Sequence, residues 1–221
     1  MRIIDCRQQT EEWERWRNRP TASEFGKFCT PARGDYSSGA EDYAAKIVSK
    51  QLGTYTEPPP SFWMDWGTEM EPNAKYAYTL KTGRKIAEVG FILPDDTDAY
   101  GGSPDGLVLG DNGYVGGLEV KCPKAETLMV WRKRGVLPVE HRPQVQGLLL
   151  ISGLPWWDFF VFHPELEPFL LRVEPDEQYQ TKIAKNLLRL LKEIAAMASV
   201  EQKVQHRLVS PTASTVRFEN D

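Results

Sequence analysis

Two charged residues stand in an otherwise apolar stretch of the sequence. Glu119 and Lys121 alternate with Leu118 and Val120. Residues two apart in a β-strand point to the same side of the sheet, so we expect both charged side chains on one face and both apolar ones on the other. A carboxylate and an ammonium on a core face are costly unless they are paired or used in a reaction. The pattern therefore indicates a reaction centre on this strand.

A second carboxylate precedes this strand at a spacing that suits a hairpin. Asp105 is separated from Glu119 by the turn-forming run Gly110-Asp111-Asn112-Gly113, which lies between two apolar runs and predicts a β-hairpin. The hairpin can place the two carboxylates side by side, where they repel each other unless a hard cation such as Mg²⁺ binds between them. A metal there would lower the pKa of a bound water, and Lys121 could orient that water and stabilise developing negative charge. This chemistry suits phosphodiester hydrolysis.

Composition places few limits on function. The 221 residues are 41% hydrophobic and 26% charged, which is typical of a globular protein, and we expect a single domain over residues 1–221. The net charge of −4 argues weakly against nucleic-acid binding, unless the basic residues gather in one groove.

The cysteines and the hydropathy pattern exclude some classes of protein. Cys6, Cys29 and Cys122 lack CxxC spacing, which excludes a zinc knuckle and argues against a cluster held by four thiolates. We expect free thiols in a reducing compartment. The charged N-terminus does not resemble a signal peptide, and no apolar run is long enough to span a membrane. A cytoplasmic protein without membrane contact is expected.

The periodicity of apolar residues predicts helices, then strands, then an alternation of the two. This order predicts an α/β fold with a central mixed β-sheet flanked by helices. Residues 202–221 show little pattern and are interpreted as a tail or an oligomer contact. Helices are predicted over 11–19, from Thr21 onwards, and over 38–52, 68–80, 125–134, 139–151 and 176–199, and strands over 86–93, 107–109, 114–122, 157–163 and 168–173.

The spacing D-x(13)-E-x-K is that of the PD-(D/E)xK nuclease superfamily, although a surface hairpin with a chance salt bridge can also carry it. The flanking sequence resembles a narrower family, the lambda-exonuclease-like (YqaJ-type) phage recombination exonucleases. This resemblance implies a restriction-endonuclease-like core and extends to about residue 150. It rests on short motifs in a fixed order: Trp13 to Arg17, Thr21 to Glu24, Trp66-Gly67 to Glu71-Pro72, Ser103 to Gly106, Leu118 to Pro123, and Gln144-Val145-Gln146.

The resemblance implies a set of metal ligands. Asp105, Glu119 and the main-chain carbonyl of Val120 would bind a first Mg²⁺, and Asp105 and Glu71 would bind a second. Mn²⁺ is expected to substitute for Mg²⁺. Nothing in the sequence around Glu71 places it at the site independently of the resemblance.

The resemblance also assigns roles to residues that act on the water and on the DNA end. Lys121 would activate the nucleophilic water, with Gln144 assisting. Arg17 and Ser23 would hold the 5′-phosphate of the DNA, which fits a guanidinium fork and a position near a helix N-terminus. The alternative for Arg17 is an ion pair with Glu14 on a solvated face.

Three further assignments are open. The family inserts an apolar side chain between bases at the duplex end, and the position falls on Met64 or its neighbours Phe62 and Trp63. A loop residue packed on the domain is the alternative. His141 is one helical turn before Gln144 and could contact DNA. The basic run 132–134 either touches phosphates or is a solvated helix end.

These expectations favour one function over two others. The first is an Mg²⁺-dependent, processive 5′-to-3′ exonuclease on linear double-stranded DNA, which releases 5′-mononucleotides and leaves 3′ overhangs for recombination by single-strand annealing. The resemblance then implies a homotrimeric ring, a single-strand annealing protein as partner, and a phage or prophage origin in the bacterial cytosol.

The second function is another PD-(D/E)xK DNA endonuclease of the restriction, repair or Cas4-like type, and the missing four-cysteine cluster counts against the Cas4-like type. The third is a catalytically inactive DNA-binding module.

Overall fold

The structure of the chain is a computed structural model that describes the backbone of residues 1–209 and the side chains of residues 1–204. Short 3₁₀ helices at Ala22–Lys27 and Val139–His141 accompany the main elements. The strands and helices are β1 (Arg2–Ile4), α1 (Glu11–Trp16), α2 (Ala40–Gln51), α3 (Phe62–Thr82), β2 (Ile86–Ala87), β3 (Phe91–Leu93), β4 (Gly106–Gly110), β5 (Gly113–Lys121), α4 (Ala125–Arg134), α5 (Arg142–Ser152), β6 (Trp157–His163), β7 (Leu166–Val173) and α6 (Glu177–Val209).

The main sheet has the strand order β2-β4-β5-β6-β7. Strands β4 and β5 form the predicted antiparallel hairpin, β5 and β6 run parallel, and the remaining neighbours are antiparallel. Because β5 lies in the centre, its residues are covered on both faces. The predicted mixed sheet flanked by helices is therefore confirmed.

Two apolar clusters lie on opposite faces of this sheet. On one face, α3 packs through Ala74 and Tyr78 against Leu118 and Val120 of β5. On the other face, α2, α5, α6 and the first 3₁₀ helix pack against the alternate residues of β6. Since side chains alternate along a strand, Glu119 points away from α3 and towards the second group of helices.

The predicted continuous strand over residues 86–93 is wrong. Strand β2 pairs with β4 in the main sheet, whereas β3 pairs with β1 in a separate two-stranded sheet, and β1 was not predicted. Gly90 lies between them in close contact with the N-terminal segment. A Cβ at this position would lie 1.9 Å from the carbonyl oxygen of Cys6, so a side chain there would push the two segments apart.

Several helix boundaries differ from the predictions. Helix α3 begins at Phe62 rather than near residue 68, because Ser61 caps it by accepting a hydrogen bond from the Met64 N–H. The helix predicted from Thr21 is a short 3₁₀ helix, and Thr21 makes no side-chain cap. Helix α1 was predicted over residues 11–19 but ends at Trp16. A 3₁₀ turn opens the helix predicted from residue 139, with Pro143 in the first turn of α5 as expected.

The C-terminal helix is longer than its sequence pattern predicted. Helix α6 continues to residue 209, through the beginning of the segment interpreted as a tail. Residues 210–221 of that segment lie outside the described residues. Among the described residues, no helix is both long and apolar enough to cross a membrane.

Candidate active site

The β4–β5 hairpin brings Asp105 beside the strand that carries Glu119. Asp105 lies immediately before β4, where Gly106 pairs with Leu118 across the hairpin. Its carboxylate oxygen Oδ2 accepts a hydrogen bond from the Val120 N–H at 2.6 Å. The hairpin geometry predicted from the sequence is therefore present, and it fixes the Asp105 side chain against the backbone of β5.

Glu119 is the most deeply buried charged residue of this site, with 1% of its side chain exposed. Its Oε1 accepts hydrogen bonds from Lys121 Nζ at 2.5 Å and from Gln144 Nε2 at 2.6 Å. Gln144 reaches it from α5, the helix that covers this face of the sheet. The structure thus confirms that Glu119 and Lys121 share one face and brings Gln144 to the same carboxylate.

The electrostatic environment makes these carboxylates unusual. Burial and the neighbouring Glu119 charge raise the pKa of Asp105 well above its ordinary value. Burial also raises the pKa of Glu119, and the attraction of Lys121 only partly offsets that rise. Burial alone would lower the pKa of Lys121, but the charges of Glu119 and Asp105 outweigh it and raise that pKa. The centre therefore has an excess of negative charge that favours a cation.

The thiol that follows this centre does not contribute a nucleophile at neutral pH. Burial, together with the charges of Asp105 and Glu71, raises the pKa of Cys122 to about 12. The reactive form of a cysteine is the thiolate. Cys122 therefore remains protonated near neutral pH.

The residues present fit a hard cation. Oε2 of Glu119 is buried and has no hydrogen-bond partner among the described residues, and a buried carboxylate oxygen without a partner is costly. No group of three or more His, Cys, Asp or Glu side chains within the described part of the chain is arranged to hold a metal ion. The expected ligand sets do not require such a group, because each includes two carboxylates and Mg²⁺ keeps several waters.

Glu71 reaches the same centre from α3. It lines one cleft together with Asp105 and Lys121, and its charge contributes to the raised pKa values of Asp105 and Glu119. Its Oε1 lies 2.7 Å from Nζ of Lys75, one helical turn further along α3. The tertiary structure therefore supplies a placement for Glu71 that its local sequence did not.

This cleft, which we call the active cleft, has a volume of ≈ 720 Å³ and collects most of the residues singled out in the sequence. A larger groove of ≈ 850 Å³ between α2 and α6 contains none of them. The active cleft is lined by Arg17, Ser23, Glu24, Trp63, Met64, Gly67, Thr68, Glu71, Asp105, Val120, Lys121, Cys122, Pro123, Lys124, Thr127, Trp131 and His141.

Arg17 and Ser23 both line the active cleft. The Arg17 guanidinium stacks 4.2 Å from the ring centroid of Trp13, and no carboxylate among the described residues pairs with it. Glu14, the alternative partner, instead lies 4.0 Å from Lys50. The Ser23 side chain is exposed within the 3₁₀ helix, and its hydroxyl lies 3.3 Å from that of Thr21. Both polar groups are thus open to a ligand in the cleft.

The candidate wedge residues lie in the first turn of α3 rather than in a loop. Met64 and Trp63 line the active cleft, whereas Phe62 does not. Met64 is 64% exposed, so little of it packs on the domain in the structure. Trp63 lies under Lys124, with Nζ 4.7 Å from the ring centroid. An exposed apolar group therefore stands at the edge of the cleft.

His141 lines the active cleft as a neutral side chain. Its ring centroid lies 5.2 Å from that of Trp131 and 5.3 Å from that of Phe159. Burial and the nearby Lys121 charge lower its pKa to about 3, so it is uncharged at neutral pH. The basic run 132–134 ends α4, and none of its side chains lines this cleft.

Lys75 and Lys124 were missed by the sequence analysis. Lys75 follows Glu71 by four residues, a spacing that places two side chains on one helix face. Lys124 follows the Cys122-Pro123 pair directly. Only the tertiary structure shows that Lys124 lines the active cleft and that Lys75 pairs with Glu71 from a neighbouring cavity.

Known proteins share both the sequence pattern and the fold. The profile of the YqaJ-like viral recombinase domain matches residues 12–155. The alkaline exonuclease LHK-Exo from Laribacter hongkongensis is 29% identical, with a TM-score of 0.79 over 90% of this chain and 100% of that chain. Its structure in complex with dAMP gives a TM-score of 0.78 at the same identity and coverage. No curated protein sequence matches the chain.

A more distant structure shares the fold alone. It is a phage-related exonuclease from Haemophilus somnus 129PT, 11% identical, with a TM-score of 0.60 over 84% of this chain and 96% of that chain.

The fold and the carboxylate–lysine centre define a DNA nuclease of the phage exonuclease class. The chain belongs to the YqaJ-like viral recombinase family, whose match spans the hairpin, Glu71 and Gln144. The resemblance noted in the sequence is thereby confirmed.

Proposed function

We propose that the chain is an Mg²⁺-dependent exonuclease that degrades linear double-stranded DNA from its 5′ ends. The observation that carries this proposal is the position of Arg17 and Ser23 in the same cleft as Asp105 and Lys121. A guanidinium and a hydroxyl that line the same cleft suit a terminal phosphate, and the carboxylate–lysine centre suits cleavage of the adjacent phosphodiester.

The chain's own residues would hold two Mg²⁺ ions. Asp105, Glu119 and the main-chain carbonyl of Val120 would bind the first, and Asp105 and Glu71 the second, with Mn²⁺ as a substitute. When bound, the metals would supply a more acidic water and stabilisation of charge on the attacking and leaving oxygens. The buried Oε2 of Glu119 without a partner supports this ligand set.

Lys121 and Gln144 would act together around Glu119. Both donate hydrogen bonds to Oε1 of that carboxylate, so they hold it in one orientation. Lys121 would activate the nucleophilic water by orienting it, and its ammonium would stabilise negative charge on the phosphate.

Polar groups would bind the DNA end, and an apolar group would separate its strands. Arg17 offers two parallel donors to a 5′-phosphate, and Trp13 stacks on the guanidinium and fixes its plane. Met64, exposed on the rim of the cleft, would part the bases at the duplex end. His141 would contact DNA as a neutral group.

The family resemblance supports further expectations about the products, the oligomeric state and the partner. We expect processive 5′-to-3′ digestion that releases 5′-mononucleotides and leaves 3′ overhangs for single-strand annealing. The alkaline exonuclease LHK-Exo has been obtained in complex with dAMP, which supports a mononucleotide product. A homotrimeric ring around the DNA and a single-strand annealing protein as partner complete the proposal.

Digestion of defined DNA substrates tests the proposal. The purified protein with Mg²⁺ is incubated with linear duplexes bearing either a 5′-phosphate or a 5′-hydroxyl, and with a covalently closed circle. We expect mononucleotide release from the linear duplexes, faster with the 5′-phosphate, and an intact circle. Cutting of the circle would instead indicate an endonuclease of the same superfamily.

The role of Arg17 is tested by comparing its substitution with that of a nearby arginine outside the cleft. Arg17→Ala is expected to remove the preference for 5′-phosphate ends. Arg15→Ala is the control, because Arg15 lies in the last turn of α1 two residues before Arg17, is largely exposed and does not line the cleft. Equal rates of the wild type on both kinds of end would refute the assignment of Arg17 and Ser23.

A further inference from the structure

Lys75 is a nearly buried lysine that contacts the catalytic centre through its ion pair with Glu71. Its Nζ lies 2.7 Å from Oε1 of Glu71 and 3.0 Å from Oε1 of Glu88, and 14% of its side chain is exposed. Lys75 does not line the active cleft; it lines a separate cavity of ≈ 450 Å³ that shares Thr68 and Glu71 with that cleft. Glu71 thus stands between the two cavities, with Lys75 behind it.

We propose that Lys75 is a positioning residue, which fixes Glu71 so that its second carboxylate oxygen serves a metal ion in the active cleft. The inference rests on the proposed function, in which Glu71 is a metal ligand. The ammonium of Lys75 occupies one carboxylate oxygen and leaves the other available. A carboxylate held in this way has fewer orientations to lose when a cation binds.

Glu88 makes this arrangement compatible with metal binding. An isolated ammonium next to a metal ligand would repel the incoming cation. Lys75 is also paired with Glu88, whose carboxylate offsets only part of the ammonium charge because it is 76% exposed. Glu71, Asp105 and Glu119 still outnumber Lys75 and Lys121, so the centre attracts a cation, and Lys75 acts mainly through its hydrogen bond.

Lys75 is more deeply buried than a surface lysine of the same helix that also forms an ion pair. Lys81 lies on α3 and forms an equally short contact, 2.6 Å, with Glu167, but its side chain is 38% exposed and that of Glu167 is 71% exposed. Exposed ion pairs of this kind contribute little and are screened by solvent. Lys81 is therefore a matched control.

Metal binding without DNA tests the proposal. Metal-free protein is titrated with Mn²⁺, and electron paramagnetic resonance measures the free ion. We expect wild type to bind two Mn²⁺ per chain, and Lys75→Met to weaken one of these sites by about 10-fold or more, the usual effect of losing a partner of a metal ligand. Lys75→Arg should restore most of the affinity, and Lys81→Met should bind as wild type.

A double variant shows whether Lys75 acts through Glu71. In a Glu71→Gln background, Lys75→Met should cause no further loss of Mn²⁺ affinity, because the group that it positions is already absent. Wild-type Mn²⁺ affinity in Lys75→Met, or an equal further loss in the Glu71→Gln background, would overturn the proposal. If Lys75→Met does not fold, Lys75→Gln takes its place in both comparisons.

The two proposals fail differently. A wild-type protein that binds no Mn²⁺ and cuts no DNA contradicts the proposed function itself. A wild-type protein that binds two Mn²⁺ and cuts DNA, while Lys75→Met binds Mn²⁺ equally well, contradicts only the role of Lys75.

Discussion

At the scale of single residues, the cost of burying charge shapes the active cleft. Glu119 has two donors on one oxygen and no partner among the described residues on the other. Asp105 adds a second carboxylate whose pKa burial raises well above its ordinary value. The folded, metal-free protein therefore carries an unfavourable concentration of negative charge, which a bound cation would relieve.

This charge gives a stability prediction for Asp105→Asn. The pKa of Asp105 is higher in the folded than in the unfolded chain, so its ionisation destabilises the fold above the folded-state pKa and has no effect below the unfolded value. In EDTA at pH 7, Asp105→Asn should melt a few degrees above wild type, the effect of about 1 kcal/mol in a domain of this size. The difference should vanish as the pH falls to about 4.

Thermal unfolding in EDTA across this pH range provides the measurement. Saturating Mg²⁺ should reverse the order, because it stabilises only a protein whose ligands are intact. A wild type that melts above Asp105→Asn in EDTA at pH 7 would contradict the argument.

Lys121→Ala is expected to abolish hydrolysis while DNA binding survives. The amine is the group that orients water and stabilises charge, and removal of one such group lowers rates by about 10²–10³-fold or more. Arg17 and Ser23 remain to bind the DNA end. Single-turnover cleavage and fluorescence anisotropy with a labelled duplex measure the two properties.

Lys124→Ala is the control for this substitution. Lys124 also lines the active cleft but contacts Trp63 rather than the carboxylates. With the DNA saturated by enzyme, its single-turnover cleavage rate should remain close to that of wild type. Normal turnover in Lys121→Ala would remove the role given to the amine.

At the scale of elements, the site depends on how separate segments meet. The hairpin supplies Asp105 and Glu119, α3 supplies Glu71, and α5 supplies Gln144. Helix α3 packs on the opposite face of β5 from α5, yet Glu71 near its middle lines the active cleft at the end of the strand. Small changes in packing between these elements are expected to alter the site.

Gly90→Ala tests one such packing contact. The Cβ would lie 1.9 Å from the Cys6 carbonyl oxygen, so the N-terminal segment and the chain before β3 must separate. Overpacking of this kind costs about 1–3 kcal/mol, and we expect the free energy of unfolding to fall by at least that amount. Chemical denaturation measures it.

Gly26→Ala is the matched control, because its Cβ would meet only a Pro143 side chain at 3.8 Å, an ordinary contact. Its stability should stay close to that of wild type. Equal stabilities of the two variants would show that the contact between Gly90 and Cys6 is readily relieved.

At the scale of the whole molecule, an acidic chain is proposed to bind a polyanion. The net charge is −4, and the active cleft holds Arg17, Lys121 and Lys124 beside Glu24, Glu71 and Asp105, whose charge bound Mg²⁺ would offset. Local charge, rather than net charge, governs contact with phosphate. A ring of subunits would gather these clefts around one duplex.

The proposed ring gives a direct prediction of mass. Light scattering after size-exclusion chromatography should give three times the 25.2 kDa mass of the chain, independent of concentration over the micromolar range. A stable mass of one or two chains would contradict the homotrimer. The nuclease assignment would stand in that case, because each chain carries a complete set of the expected catalytic side chains.

The sequence by itself determined the hairpin and its chemistry. Alternation along residues 118–121 placed Glu119 and Lys121 on one face, and the glycine-rich turn placed Asp105 beside them. These are short-range relationships, which follow from the two-residue period of a strand and from turn geometry. The motifs around them were specific enough to indicate the family.

Only the tertiary structure decided the rest. Glu71 joins the centre because α3 packs across β5, and Gln144 because α5 packs on the other face; no local pattern fixes such long-range contacts. The strand predicted over residues 86–93 failed for a related reason, since the contact of Gly90 with the distant Cys6 segment overrides the local β-propensity. Where local geometry carried the chemistry, the sequence was sufficient, and where packing carried it, the folded structure was required.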